Sequence, residues 1–247
     1  MISFRNVCKS FGPKRVLTDV SFDIADGEVF FIIGASGVGK SVLIKQLVGL
    51  LRPDAGDILL DGDEVSRFDE EAMYAVRKKC AMVFQHSTLF DSLTCLENVA
   101  LPLRKHRGLG PREALVAARE RLSQVHMQEF GDRYPAELGD GMKKRVAIAR
   151  ALTLDPRYVL FDEPTTSLDL VSARRVDKLI RELADRLGVT CIVVSHDLNS
   201  IFGIATRIAM LYKGQVRLLG TPADFKGTTD EIIQQFIQGR AQGPMET

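Results

Sequence analysis

Eight consecutive residues, Gly34-Ala35-Ser36-Gly37-Val38-Gly39-Lys40-Ser41, carry the most specific chemical signal in the chain. They follow the apolar run Val29-Phe30-Phe31-Ile32-Ile33 and precede Val42-Leu43-Ile44, so the pattern predicts a strand, a tight loop and a helix in succession. Three glycines let successive backbone N–H groups turn inward around a polyphosphate. A helix beginning near Gly39 aims the positive end of its dipole at the same oxygens. In such a loop Lys40 reaches the β- and γ-phosphates of a nucleoside triphosphate and Ser41 holds Mg²⁺. A glycine-rich turn with a chance Lys-Ser after it is the alternative, and agreement at every fixed position weighs against it.

A second cluster is acidic. Tyr158-Val159-Leu160-Phe161 reads as a buried strand ending in Asp162 and Glu163. At a strand end the backbone turns, so both carboxylates can reach one place. Asp162 suits an outer-sphere contact to Mg²⁺, and Glu163 suits a general base for the water that attacks the γ-phosphate. Paired acids at a strand end also serve as ordinary solvated turns, and the upstream phosphate loop is what favours the catalytic reading. Gln85, after Ala81-Met82-Val83-Phe84, could touch both Mg²⁺ and the attacking water, although a glutamine alone decides nothing. His196 closes the strand Ile192-Val193-Val194-Ser195 and could hydrogen-bond the γ-phosphate, or simply end the strand. His86, His106 and His126 have no such context.

These groups need a scaffold. The first ~60 residues alternate short apolar strands with turns at Gly12-Pro13, Asp26-Gly27, Asp54-Ala55-Gly56 and Asp61-Gly62, as in a twisted antiparallel sheet. Val42 to Leu51 has helical spacing and stops before Arg52-Pro53. From Glu70 to about Leu152 the pattern is mostly helical, which predicts a helical subdomain inserted at about residues 86–155. Two apolar strands then flank a long amphipathic helix with Val176, Leu179, Ile180, Leu183 and Leu187 on one stripe and Gly188 as its cap. Apolar strand, helix, apolar strand implies a parallel sheet covered on both faces. Ile208 to Leu211 and Val216 to Leu219 read as a hairpin around Lys213-Gly214. The fold class is therefore α/β, with a domain over 1–229 and a tail over 230–247, half helix and half patternless.

At 247 residues and 45% hydrophobic the chain can bury a large core, and its formal charge of +1 argues against a nucleic-acid partner. No apolar run approaches the ~20 residues of a spanning helix. Met1-Ile2-Ser3-Phe4 already reads as strand, so the protein is expected to stay where it is made. Cys8, Cys80, Cys95 and Cys191 lack metal or redox spacing and suit core positions in a reducing cytoplasm.

Taken together, the residues from Ser3 to about Phe225 resemble the nucleotide-binding subunit of ATP-binding cassette (ABC) transporters, whose motifs occur in the same order. The resemblance makes Phe11 the aromatic that stacks on adenine, residues 34–41 the first Walker motif and Gln85 the Q-loop. Leu138-Gly139-Asp140-Gly141-Met142 becomes the signature, Tyr158 to Glu163 the second Walker motif, Ser167-Leu168-Asp169 the D-loop and His196 the switch histidine. It implies a P-loop NTPase fold: a RecA-like parallel core, an antiparallel β subdomain and the inserted helical subdomain. It also implies ATP and Mg²⁺ as cofactors, and a head-to-tail homodimer in which each ATP lies between the phosphate loop of one copy and the signature of the other.

The signature departs from the family pattern Leu-Ser-Gly-Gly-Gln, because a hydroxyl is missing and Asp140 adds a carboxylate. A carboxylate ~5 Å from a γ-phosphate charge would repel it by on the order of 3 kcal/mol at an effective dielectric of 20, weakening closure about a hundredfold. Asp140 is expected instead to point back as a cap on a helix from Met142 to Leu152, with Lys143, Lys144 and Arg145 supplying positive charge. The alternative is an ATP-gated dimerisation module whose turnover Asp140 has weakened.

The stretch Gln85 to Leu103, Met142 with its basic followers and the tail around Gln235 to Pro244 are similar to the ATPases of Mla- and Mce-type lipid transporters. In that group the tail reaches the other ATPase subunit. The partners so implied are an integral membrane permease, an Mce-type lipid-binding protein and, in some systems, a STAS-domain regulator, with the ATPase on the cytoplasmic side of the inner membrane. Polar amino-acid importers share much of the Gln85 to Pro102 region. The apolar Leu89, Phe90, Leu93 and Leu96 would face the permease or fill the subdomain core.

Overall fold

The computed structural model describes residues 1–245. Chain order begins β1 (Ile2–Phe11), β2 (Lys14–Ile24), β3 (Val29–Ile33), α1 (Lys40–Leu47), β4 (Ala55–Leu60), β5 (Asp63–Glu64), α2 (Glu70–Lys79) and β6 (Cys80–Val83). Three helices follow, α3 (Cys95–Arg107), α4 (Pro111–Gln124) and α5 (Asp140–Ala151). The chain then returns through β7 (Tyr158–Asp162), α6 (Leu170–Leu187), β8 (Thr190–Val194), α7 (Leu198–Ile204), β9 (Arg207–Tyr212) and β10 (Gln215–Gly220). It ends in α8 (Pro222–Gly227) and α9 (Glu231–Gln238).

Two sheets result. The antiparallel one runs β2-β1-β4-β5, and the larger runs β10-β9-β3-β8-β7-β6. In the larger sheet every pairing is parallel except β9 with β10, which form the expected hairpin. The one strand of the first sixty residues that leaves the antiparallel sheet is β3. Its five residues are all buried, as a strand covered on both faces requires, and it lies between β8 and β9.

Strand alternation divides the interior into two cores. Val29, Phe31 and Ile33 of β3, Val159 and Phe161 of β7, and Cys191 and Val193 of β8 face α3, α4, α5 and α6. The intervening Phe30, Ile32, Tyr158, Leu160, Ile192 and Val194 pack with the antiparallel sheet and α1. The central strands read as unbroken apolar runs because neither face meets water.

Helix ends follow their side chains. Thr94 and Glu97 form a reciprocal capping box on α3, Asp169 caps α6, Asp197 caps α7, and Gly188 closes α6 in the left-handed region at φ 65°. Helix α1 is shorter than its sequence pattern, because Leu50 N donates to Lys45 O at 2.9 Å and Gly49 turns at φ 70° well before Pro53. Cys80, Cys95 and Cys191 are buried and Cys8 half-buried, and burial pushes the thiols of Cys80 and Cys191 up to about 12. The described end of the tail turns back on its own chain: Met245 is buried, and its N–H donates to Gln235 Oε1 at 2.7 Å. Residues 246 and 247 of the expected subunit-bridging tail lie outside the described residues.

Asp155 joins the helical region to the core, where Arg107 at the end of α3 and Arg121 of α4 both donate to its carboxylate. Burial alone would raise its pKa, but the two guanidinium groups outweigh that and hold it below the ordinary 3.8. Its contribution is therefore complete above pH 3.8 and fades as the pH falls through the lower folded-state value. Asparagine tolerates the left-handed backbone found at Asp155. Asp155→Asn should cost about 1 kcal/mol after solvent screening, or about 2–4 °C in thermal midpoint at pH 7. Melting curves across the acid range should show that deficit shrinking below pH 3.8.

Candidate functional site

Four parallel strands end on the same edge of the larger sheet, in the order β3, β8, β7, β6. Beyond those ends come Gly34, Ser195-His196, Asp162-Glu163 and Phe84-Gln85. Topology thus gathers residues separated by more than a hundred positions in sequence.

The loop after β3 is held by close backbone approach. Gly34 sits at φ 139°, and a Cβ there would lie 2.3 Å from the Leu211 carbonyl oxygen. Gly39 sits at φ 110°, with Leu17 Cδ2 at 2.6 Å from the same imagined atom. Gly37 needs φ 76° but has open space around it. Lys40 is buried and donates to Gly34 O at 2.9 Å and Ala35 O at 3.0 Å, so its ammonium lies folded over the loop it belongs to. Burial lowers its pKa, and the charges of Glu163 and Asp162 work the other way.

Ser41 Oγ donates to Asp162 Oδ1 at 2.5 Å, which couples the loop helix to the end of β7. A hydroxyl and a buried carboxylate side by side are hard oxygen donors of the kind Mg²⁺ takes together with phosphate oxygens, so these residues fit that ion. Lys45 lies 3.6 Å from Asp162 Oδ2. Glu163 stands at φ 51°, with its N–H bonded to Val194 O at 2.9 Å, which locks the β7 turn onto β8. Its Oε2 lies 2.9 Å from His196 Nδ1 and accepts from Thr166 Oγ1 at 3.1 Å. The phosphate loop, both carboxylates and His196 therefore form one connected group. Phe11 ends β1 as an exposed residue, 46% accessible, with Lys9 Nζ 5.5 Å from the ring centre.

The residues from 138 to 142 and from 167 to 169 form a second group. Residues 139–142 and 167–169 line a groove of about 300 Å³ with Arg145, Ser172 and Arg175, while Leu138 is buried in the core beneath. Gly141 packs on α6 so closely that a Cβ would meet Ser172 Cβ at 2.7 Å. Asp169 Oδ1 accepts from the Val171 and Ser172 N–H groups, and bonding to Ser172 lowers its pKa.

Asp140 departs from the expected role. The cap of α5 is Gly139, whose carbonyl receives Met142 N at 2.9 Å and Lys143 N at 3.0 Å. Asp140 is the first helical residue, 71% exposed, and caps nothing. A carboxylate there still favours the helix dipole, and it pairs with Lys143 at 3.5 Å. The other two cations are engaged elsewhere. Lys144 donates to Phe84 O and Gln85 O, and Arg145 to Val125 O and His126 O.

A family model described as ABC transporter matches residues 17–166. The chain belongs to the ABC transporter family. It is 40% identical to the glutamine transport ATP-binding protein GlnQ of Escherichia coli over 96% of this chain and 99% of that one. The intermembrane phospholipid transport ATP-binding protein MlaF of Escherichia coli is 34% identical over 99% of this chain and 91% of its own length. A dimeric, post-hydrolysis structure of the ATP-binding cassette MJ0796 with ADP and phosphate aligns at TM-score 0.81 and 33% identity, over 90% of this chain and 99% of the other.

The chain is thus an ATP-binding ATPase subunit of an ABC transporter. Three side chains of this ABC site escape motif reading. Thr166 steadies Glu163, and Asn98 receives Phe90 N at 2.8 Å and donates to Phe90 O and Leu93 O, which shapes the segment after Gln85. Lys144 is the third, and its place four residues before the buried Ile148 puts it on the inner face of α5.

The glycine geometry gives a direct test. Gly34→Ala forces a Cβ into a main-chain oxygen, so titration with a fluorescent ATP analogue should show at least tenfold weaker binding. Gly37→Ala meets only the left-handed backbone cost of about 1–2 kcal/mol and should fold normally with ATP affinity reduced less.

Proposed function

We propose that this ABC ATPase energises phospholipid movement through a separate membrane permease, working as a homodimer on the cytoplasmic face of the membrane. The observation that carries it is the agreement with MlaF along 99% of the chain, together with the stretch from Gln85 to Leu103 and the run Met142-Lys143-Lys144-Arg145. Among the described residues no helix is long and apolar enough to cross a membrane, so a permease would supply the path. An Mce-type lipid-binding protein and a STAS-domain subunit complete the proposed assembly. The greater identity to GlnQ favours a second reading, a polar amino-acid importer.

In this mechanism the loop amides of residues 34–41 and Lys40 hold the β- and γ-phosphates, and Phe11 offers its exposed ring to adenine. Ser41, Asp162 and Gln85 would hold Mg²⁺, which neutralises phosphate charge when bound. Glu163 takes the proton of the attacking water, oriented by the Thr166 hydroxyl and the neighbouring His196 ring. The groove at residues 139–142 and the Ser167 to Asp169 turn receive the partner copy's γ-phosphate. Asp140, exposed and paired with Lys143, raises the cost of that closure.

Three outcomes follow. Glu163→Gln should lower phosphate release at least a hundredfold with ATP affinity within about threefold, the range expected for losing a general base. In that background Asp140→Ser should tighten ATP-driven dimerisation about tenfold by analytical ultracentrifugation, since Lys143 and solvent screen most of the repulsion. Purification of the chain with its native permease from membranes, followed by lipid and amino-acid analysis, should find bound phospholipid. An assembly stimulated by an amino acid and empty of lipid would replace the first reading with the second.

A further inference from the structure

Lys144 is 2% exposed, with its ammonium inside the protein. A methionine would fill the same volume with no charge to desolvate, so burying an amine here needs a compensating purpose. Its contacts supply one. The Nζ donates to Phe84 O at 2.9 Å and to Gln85 O at 2.6 Å. Strand β6 ends at Val83, so these two carbonyls belong to chain that has just left the ladder. The donor sits in the first turns of α5, the helix that the signature residues open. Asp162 and Asp140 both exert a field on the amine, one from the metal-side carboxylate and one from the signature.

We propose that Lys144 is a positioning residue for hydrolysis, tying the Phe84-Gln85 backbone to the signature helix so that Gln85 is held toward the site and shifts when the signature shifts. This rests on the reading of Gln85 as a contact to Mg²⁺ and the attacking water. The tie gives one residue of α5 control over where the glutamine's backbone stands, without itself touching ATP. An open cleft of about 480 Å³, lined by Gln85, Asp140, Lys143, Lys144 and Thr166, borders the segment. Arg150, further along α5, holds Ser87 and Thr88, and the two Lys144 bonds are the tie that falls on Gln85 itself.

The test uses the full chain with its permease and compares Lys144→Met, Lys144→Gln, Gln85→Ala and the Lys144→Met/Gln85→Ala pair. Steady-state ATP hydrolysis, its dependence on Mg²⁺ concentration, affinity for a fluorescent ATP analogue and thermal midpoint are measured for each. Lys144→Met is expected to lower kcat at least tenfold and raise the Mg²⁺ needed for half-maximal rate at least threefold, with ATP affinity within twofold. Adding it to Gln85→Ala should cost less than twofold more, because both act through one side chain. Lys144→Gln keeps an N–H donor and should recover kcat to within threefold of the parent, and it reads the same quantities if the methionine variant does not fold. A Lys144→Met protein with a lower thermal midpoint but kcat and Mg²⁺ dependence within twofold of the parent would make Lys144 merely structural and overturn the proposal, as would losses that simply multiply in the pair. A Gln85→Ala protein with unchanged kinetics removes the reading of Gln85 itself and the proposal with it, whereas a Gln85→Ala defect beside a silent Lys144→Met removes the proposal alone.

Discussion

Parallel pairing of β3, β8, β7 and β6 is the constraint on which everything else rests. Parallel strands end together, so their carboxyl ends must deliver Gly34, His196, Glu163 and Gln85 to one edge whatever lies between them in sequence. The arrangement is stable only because both faces are covered, one by helices and one by the antiparallel sheet, and the unbroken apolar strands record that requirement. Chemistry at the edge thus depends on burial at the centre. Phe161 and Val193 touch no phosphate, yet they fix the distance between the turns that carry Glu163 and His196.

At the edge itself, polar groups are joined into chains that each cross between elements. Ser41 to Asp162 joins α1 to β7, Glu163 N to Val194 O joins β7 to β8, and His196 to Glu163 returns from β8. Arg174 of α6 bonds Asp197, next to His196, and Asp177 within its own helix. Burial would raise the pKa of Asp197, but the Ser200 hydroxyl and the Arg174 charge hold it low. Helix α6 thus runs from its Asp169 cap, at the Ser167 to Asp169 turn, to the Arg174 pair beside His196. Such a site behaves as a unit, and single side chains in it have no separable energies.

Most of the fold was legible because its signals are local. The phosphate loop is contiguous, the α6 stripe repeats from Val176 to Leu183, and the hairpin at Lys213-Gly214 is marked by its turn residues. What escaped is set by spatial neighbours. Whether β3 joins the first sheet or the second cannot be read from Val29 to Ile33, since the partners that decide it are Cys191 and Arg207. Asp140 has a capping residue type, but Gly139 already has the extended backbone a cap needs, which moves the helix start and leaves the carboxylate outside. Three adjacent cations looked equivalent as charge, while the helix sends them in three directions.

That divergence bears on how far a charge count can serve as an argument about this signature. Lys143 is the cation in ion-pair contact with Asp140, at a separation where solvent weakens the pair. Lys144 is spent on carbonyls, and desolvation drops it to about 8, with Asp162 and Asp140 opposing the fall. Arg145 holds the turn after α4. A phosphate brought to the mouth of α5 would therefore meet Asp140 with its partner Lys143, the Arg145 and Arg175 side chains that line the same groove, and the free N–H groups of the first helical turn, and the balance among these decides whether closure is favourable. The missing signature hydroxyl matters less than it would beside a longer cap, because the amides of Asp140 and Gly141 remain unbonded within the helix and stay available. In the proposed closure the carboxylate would oppose the incoming phosphate, with Lys143 and the groove's arginines offsetting part of its charge, so the electrostatics would tune the helix-end amides without replacing them.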